Sequence, residues 1–242
     1  MFPMPIRKHT NAALFDWFGA GGIPKANVLA AFKPIGAASL AASYVNLVTP
    51  GTNDAAPGTA PTWDAVNGWN FTAASSQYLV VGSGALVTAV PLTMICLFQS
   101  SDVTGTYDLL VISNNLSAAN QFSMTLAGGI ASDPIRASIS GGGGETGANS
   151  ALPGYTASTW YVGAAKFISA TSRFAYSNGN VGSENTTSRT PASINTTTIG
   201  VKYNGATPIN YHNGLIGACA FYNIALFDAQ VLSVSNAMLA MV

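Results

Sequence analysis

Apolar residues along most of this chain form short runs that Gly, Pro, Asn and Ser interrupt. One run, "RFAYSNG" (173–179), alternates cleanly between apolar and polar positions, with Phe174 and Tyr176 on one parity. This alternation is typical of a half-buried strand, and the Asn-Gly pair that ends it is typical of a tight hairpin. The pattern predicts strands at 28–33, 43–48, 68–71, 77–81, 92–99, 107–113, 121–126, 135–140, 159–167, 173–177, 196–201 and 215–223.

Apolar residues recur at helical spacing near the C-terminus, in "AQVLSVSNAMLAMV" (229–242). Asp228 precedes this stretch and is predicted to be its N-cap, because a carboxylate there can accept hydrogen bonds from the first helical N–H groups. Many short strands and one terminal helix predict an all-β fold, either a sandwich or a barrel. We expect the helix to pack across one edge of that fold.

The first 26 residues differ in composition from the rest of the chain. They contain three prolines, a few charges, and the aromatic residues Phe15, Trp17 and Phe18, followed by Gly-Ala-Gly-Gly. We predict an N-terminal arm at 1–26 and a single domain at 27–242. Large aromatic side chains are costly to leave in water, so the arm either covers an edge of its own domain or docks on a neighbouring subunit.

Charged residues make up only 7% of the chain, against roughly 25% in typical soluble domains. Nine basic and nine acidic side chains give a net charge of zero, which argues against nucleic acid or an anionic membrane as partner. A neutral surface of Ser, Thr, Asn and Gly suits a subunit packed in an assembly, so we expect a homo-oligomer. No stretch has the character of a secretory signal or a membrane span, which predicts synthesis in a cytoplasm.

The chemical groups that enzymes need do not occur here in any familiar spacing. The carboxylates are scattered, without the paired arrangement of a glycosidase, and no G-x-S-x-G elbow occurs. "GGGGETG" (141–147) lacks the Lys-Ser/Thr of a phosphate-binding loop. Cys96 and Cys219 lie in apolar runs and are predicted to be buried free thiols rather than a disulfide or metal ligands. We therefore expect no catalytic residues, no metal and no cofactor.

Three aromatic residues are candidates for sugar binding. Trp63 and Trp69 lie close together in "PTWDAVNGWNF" (61–71), and Tyr78 follows. Exposed Trp and Tyr rings can stack on sugar rings, whereas buried ones fill a core or a subunit contact. Both interpretations stay open at this point.

The order of several segments resembles a known fold family. These segments are "GWNFTAASSQYLVV" (68–81), "STWYVGAAKF" (158–167), "SRFAYSNGNV" (172–181), "TIGVKYNG" (198–205) and "YHNGLIGACAFYNIALFDAQV" (211–231). They resemble the concanavalin A-like, laminin-G-type jelly-roll domain, of the kind found in tailed-phage virion proteins. The last segment is the most specific, since Tyr222, Asn223, Ala225 and Leu226 all fall in register. This chain has Gly217 and Ala218 where the family often carries acids.

The resemblance implies a two-sheet antiparallel jelly-roll sandwich and a binding role rather than catalysis. Our main functional prediction is a phage virion protein, a capsid decoration, head-fibre or tail component that contacts other virion proteins and copies of itself. The alternative is a lectin-like module that binds a host surface glycan through Trp63, Trp69 and Tyr78. A sandwich-fold glycoside hydrolase or lyase is a third hypothesis, which the missing carboxylate pair disfavours.

Overall fold

The computed structural model describes residues 16–117 and 119–242, and its framework is two antiparallel β-sheets packed face to face. The eight-stranded sheet contains β1 (Val28–Phe32), β3 (Thr62–Asp64), β4 (Gly68–Phe71), β6 (Leu92–Ser100), β11 (Trp160–Ser169), β12 (Ser172–Ser177), β13 (Asn180–Val181) and β17 (Gly214–Tyr222). The seven-stranded sheet contains β2 (Ala55–Thr59), β5 (Tyr78–Val81), β7 (Thr106–Ser113), β8 (Gln121–Ala127), β9 (Ile135–Ser140), β10 (Glu145–Asn149) and β14 (Thr196–Ile199).

A separate two-stranded hairpin, β15 (Lys202–Asn204) and β16 (Thr207–Ile209), follows the seven-stranded sheet in the chain. The helices are α1 (Leu40–Ser43) and α2 (Asp228–Leu239), and short 3₁₀ turns lie at Trp17–Gly19, Lys25–Asn27 and Ala73–Ser75. None of the helices in the described ranges is long and apolar enough to cross a membrane.

The strand order is β13-β12-β11-β6-β17-β4-β3 in the first sheet, with β1 also paired to β17, and β10-β9-β8-β7-β14-β5-β2 in the second. The main core lies between the sheets, where inward residues such as Phe98, Phe122 and Phe167 are fully buried. This arrangement confirms the predicted all-β, two-sheet jelly-roll sandwich with a C-terminal helix. The period-two alternation in the sequence follows from it, since alternate side chains of each strand enter the core.

A second apolar layer covers the outer face of the eight-stranded sheet. Here α2 and residues 16–35 pack on outward side chains of β6, β11 and β17, including Ile95, Val162 and Ala220. Both faces of this sheet are therefore buried. The seven-stranded sheet has apolar side chains on its inner face and polar ones on its outer face.

The predicted start and position of the helix need correction. Its N-cap is Phe227, not Asp228, and the Phe227 N–H donates to the Gln230 side chain at 3.0 Å. The Asp228 carboxylate instead accepts hydrogen bonds from Lys166 and Tyr176 on the sheet below. The helix lies on the face of the eight-stranded sheet rather than across an edge, because Val231, Val234 and other apolar residues pack on that face.

The predicted strand at 43–48 is wrong. The segment holds the end of α1 and a loop, because the Ser39 hydroxyl accepts from the Ala42 N–H at 3.1 Å and starts a helical turn. Asn46 in this loop is fully buried, and its side chain hydrogen-bonds three backbone groups. It accepts from the Ala31 and Val48 N–H groups and donates to the Thr52 carbonyl. The strands that the sequence did not indicate are short ones: β2, β3, β10, β13, β15 and β16.

Gly217 and Ala218, at the positions where the family that the sequence resembles often carries acids, lie in a crowded part of the fold. Gly217 sits at a bulge of β17, where an added Cβ would come within 2.5 Å of the Ile35 side chain. Ala218 is fully buried in the second apolar layer. Nearby, Cys219 pairs directly with Cys96 of β6, and both are buried free thiols, as predicted.

Candidate functional site

Trp63 and Trp69 are direct partners in the β3–β4 ladder, but only one of them is accessible. Trp69 is fully buried in the main core, where its indole N–H donates to the Ser43 hydroxyl at 2.7 Å. Its ring packs near Phe32 and Phe71, so it offers no face to a sugar. Trp63 is half-buried, and its indole N–H donates to the Pro34 carbonyl at 2.9 Å.

Tyr78 lies on the other sheet, in β5, and is half-buried. Its ring centroid is 6.4 Å from that of Tyr203 and 6.2 Å from that of Tyr211, so it belongs to a cluster of three tyrosines. The structure therefore does not bring the candidate residues Trp63, Trp69 and Tyr78 together into one patch.

Trp17 and Phe18 from the predicted arm are buried within their own domain. They pack in the second apolar layer beside α2, and the Tyr222 hydroxyl donates to the Phe18 carbonyl at 3.1 Å. These two side chains therefore cover their own domain, which is one of the two roles that the sequence left open for the arm. Phe15, the third residue, lies outside the described residues, and docking of the arm on a neighbouring subunit stays a prediction.

The outer face of the seven-stranded sheet carries a set of polar side chains that sequence reasoning missed, which we call the polar face. Directly paired residues of a sheet project to the same side, so the strand register defines three rows across it. The first row is Glu145, Ser140, Gln121, Ser113 and Thr196; the second is Gly147, Ser138, Ser123, Val111 and Thr198; the third is Asn149, Arg136, Thr125 and Asp108. The inward neighbours of these residues, such as Phe122 and Met124, enter the core.

Several polar atoms of this face are buried and lack partners among the described residues. They are the hydroxyl oxygens of Ser113 and Ser138, the Gln121 side-chain oxygen and Nε of Arg136. Ser113, Gln121 and Ser138 are no more than 1% exposed. Buried polar groups are nearly always hydrogen-bonded in proteins, so these atoms call for a ligand or ordered water. A polyhydroxylated ligand can supply the missing donors and acceptors.

The charged groups of the polar face converge on Glu145. The Lys202 ammonium, from the hairpin, lies 2.8 Å from Glu145 Oε2, and the Gln121 amide donates to the same oxygen at 3.2 Å. Arg136 Nη1 lies 3.9 Å from Glu145 Oε1, with its side chain stretched over Gly147. Burial lowers the pKa of Lys202, but the charges of Asp108 and Glu145 outweigh it and leave that pKa above its ordinary value.

Asp108 is the second carboxylate on this face and is fully buried. Burial raises its pKa to about 6, against the charge of Lys202 and the hydrogen bonds from Thr125 and Asn210. Glu145 keeps about a third of its side chain exposed. Only one of the two carboxylates on the face is thus accessible, which does not match the two accessible carboxylates that glycoside hydrolysis requires.

The open part of the polar face lies along β10, the edge strand. A groove of about 620 Å³ runs beside it between the edges of the two sheets, lined by 147–152 and 181–185. Within the described ranges, no three His, Cys, Asp or Glu side chains converge as metal ligands would. The site consists of amides, hydroxyls, the buried Asp108 carboxyl group, and Glu145 with its two ion-pair partners, Lys202 and Arg136.

The sequence carried a weak signal for this face. In "QFSMTLA" (121–127) and "IRASIS" (135–140), Ser and Thr fill the polar parity where a solvated sheet surface usually carries longer side chains. Short hydroxyl residues on adjacent strands leave a shallow floor between longer side chains. The register that sets them side by side is not readable from one sequence.

No protein-family model and no curated protein sequence matches this chain. Solved structures of the same fold do match. Domain 4 of the extracellular GH43 arabinanase AbnA from Geobacillus stearothermophilus, in complex with arabinotriose, superposes with a TM-score of 0.63 at 11% identity, covering 86% of this chain and 98% of that one.

The CBM40 of Ruminococcus gnavus IT-sialidase bound to α2,3-sialyllactose gives a TM-score of 0.53 at 11% identity, with 61% of this chain and 84% of that one covered. A NanB sialidase variant from Streptococcus pneumoniae gives 0.51 at 18% identity, and the match spans only 24% of that longer protein. At these identities the comparisons establish the sandwich fold. They do not bear on a phage origin.

Proposed function

We propose that this protein is a carbohydrate-binding module that holds an oligosaccharide on the polar face, beside β10. The observation that carries the proposal is the group of buried hydroxyl and amide atoms without partners, which lie on the outer face of the seven-stranded sheet. Sugars offer many hydroxyls that both donate and accept, so they suit a floor of Ser, Thr and Gln better than apolar or singly charged ligands do.

The matched sandwich domains support the same proposal. Two of these domains hold sugars in their structures: domain 4 of AbnA holds arabinotriose, and the R. gnavus CBM40 holds α2,3-sialyllactose. The charge balance of the polar face also fits an uncharged or weakly charged sugar, since Arg136 and Lys202 are offset by Glu145 and Asp108. The proposal assigns no catalysis, because Asp108 is buried and leaves Glu145 without an accessible partner.

The test starts with a glycan array that includes arabinotriose and α2,3-sialyllactose, followed by calorimetry on the glycans that bind. We expect Arg136→Met to weaken binding of those glycans at least about tenfold, a typical effect of removing one charged hydrogen-bonding group from a site. The matched control is Lys33→Met, at an exposed lysine outside the polar face. Retained binding in Arg136→Met, or no binding by the wild-type chain to any glycan, would overturn the proposal.

The virion role that the sequence predicts is a separate matter and stays a prediction. A glycan-binding module can be part of a larger particle, so the two functions are compatible. Purification of the full chain and measurement of its oligomeric state would test the assembly side of that prediction.

A further inference from the structure

The hairpin of residues 201–209, which we call the strap, lies over the polar face and contacts two of its three rows, and Asn210 beside it contacts the third. In the first row, Lys202 binds Glu145. In the second row, the Thr198 hydroxyl donates to the Val201 carbonyl at 2.7 Å. In the third row, the side-chain amide of Asn210, just past the strap, donates to Asp108 at 3.1 Å. The strap therefore reaches across the polar face to Glu145 at one end of β10, while Asn149 at the other end of β10 stays exposed.

The strap is held to the sandwich by few interactions. Its two strands pair with each other and with neither large sheet. Apart from the hydrogen bonds just described, it is held by the buried Val201 side chain and by Tyr203, whose ring packs 6.4 Å from that of Tyr78 and whose hydroxyl lies 3.5 Å from the Tyr78 hydroxyl, a long distance for an O–H···O bond. An element with few hydrogen bonds to its neighbours and no ladder to either large sheet opens at lower free energy than the sheets themselves.

Several polar atoms of this face lack hydrogen-bond partners in the arrangement seen here, with the strap lying over the face. The Ser113 and Ser138 hydroxyls and the Gln121 carbonyl oxygen are buried without partners among the described residues. Each such atom destabilises the protein if it stays dry, because it has lost its hydrogen bonds to water without gaining others. Closure thus withholds hydrogen bonds that an open, hydrated or ligand-filled face would make.

The two ends of the strap have the backbone geometry of hinges. Gly200 has φ +83° and Asn210 has φ +54°, so each end turns through a left-handed residue. The base beneath them is fixed, since the Gly200 N–H donates to the Leu109 carbonyl and the His212 N–H donates to the Gly200 carbonyl, both at 2.8 Å. Motion of the strap is therefore confined to the residues between these two positions.

We propose that the strap is a gate over the carbohydrate site: it rotates about Gly200 and Asn210 to uncover the polar floor, and the Lys202–Glu145 ion pair is the latch that holds it closed. The ligand part of this proposal rests on the proposed function. Opening itself needs no ligand and is measured without one.

The experiment introduces Ser138→Cys and follows its reaction with a small thiol reagent under native conditions. Cys96 and Cys219, fully buried in the core, serve as internal references for global unfolding. We expect Cys at 138 to react at least about tenfold faster than the two core thiols, because local opening costs less than unfolding. Adding Lys202→Met should speed that reaction about fivefold further, the effect of losing one partly exposed ion pair. Lys33→Met is the control and should leave the rate unchanged.

Equal rates at 138 and at the core thiols, unaffected by Lys202→Met, would overturn the gate. If Ser138→Cys fails to fold, hydrogen exchange of the amides at 201–209 in wild type and Lys202→Met replaces it, with faster exchange in the variant expected and no difference contradicting the latch. A labelling result that fits, combined with a negative glycan array, would leave the gate standing and refute the carbohydrate ligand. Glycan binding together with equal thiol rates would support the carbohydrate ligand and refute the gate.

Discussion

The Lys166 ammonium in β11 lies 2.6 Å from Oδ1 of Asp228, the first residue of α2. The same oxygen accepts from the Tyr176 hydroxyl at 2.7 Å, and the Phe174 and Tyr176 rings lie 5.0 and 5.2 Å from the ammonium. The Lys166 side chain is only 8% exposed, whereas that of Asp228 is 61% exposed. This ion pair fastens the helix to the sheet, and the Lys166 hydrogen bond, with the one from Tyr176, holds the pKa of Asp228 below its ordinary value.

We predict that Asp228→Asn lowers the free energy of unfolding by about 1–2 kcal/mol, because Lys166 then keeps its charge at a nearly buried position without an acidic partner. Urea unfolding measures the change. Lys166→Met combined with Asp228→Asn should recover part of the loss, since no buried charge remains. Asp16→Asn, at an exposed position, is the control; an equal effect there would contradict the role of the pair.

Ionisation of the buried Asp108 carboxyl group should lower the free energy of unfolding as the pH rises. Its pKa is about 6 in the folded protein and 3.8 in the ordinary case, so between these values the folded state binds the proton more tightly. Stability from this group is therefore present below pH ~4 and declines until pH ~6, by about 3 kcal/mol at most. Asp108→Asn should remove this contribution, so that the unfolding free energy measured in urea rises more steeply from pH 4 to 6.5 in the variant than in the wild type. Identical pH profiles for wild type and variant would refute it.

The buried His212 should have the opposite effect on the free energy of unfolding over nearly the same pH range. It is fully buried against Phe71 and Tyr107, and burial lowers its pKa to about 4 from 6.5. The unfolded state binds the proton more tightly, so stability from this group is present above pH ~6.5 and is lost as the pH falls to ~4, again by about 3 kcal/mol at most.

His212→Phe should remove that acid-side loss and leave the Asp108 effect visible alone. In the wild type the two effects oppose each other, so the pH profile should be flatter than in either single variant. Thermal unfolding of wild type, the two single variants and the double variant between pH 4 and 6.5 provides the comparison. A steeper profile in the wild type than in both single variants would contradict the assignment.

Ala218 lies where the family that the sequence resembles often carries an acid, and the burial of this position explains why the chain has a small apolar residue there. It is fully buried beneath the layer formed by α2 and residues 16–35. We predict that Ala218→Asp destabilises the fold by more than about 3 kcal/mol, because it buries an unpaired charge among apolar side chains. Ala218→Val, which adds volume without charge, separates the two causes. Chemical unfolding of both variants measures this, and similar costs for Asp and Val would attribute the effect to volume alone.

The alternation in strands such as 135–140 fixed their positions because one parity must enter the core, and the structure places β9 at those residues. The segment 43–48 has similar apolar content, yet Ser39 caps a helical turn before it. Short edge strands such as β10 carry Gly and polar residues, since half of their surface faces solvent. Local pattern therefore identifies buried strands well and edge strands poorly.

The fold class, the buried thiols and the C-terminal helix could all be predicted before folding, since each depends on local apolar spacing. The burial of Trp69 in the core, the packing of Trp17 and Phe18 on their own domain, and the shared face of Ser138, Gln121 and Glu145 with Lys202 became visible only in the folded chain. These relationships join residues far apart in the chain. Strand register and the path of the strap set them, and no local pattern encodes either.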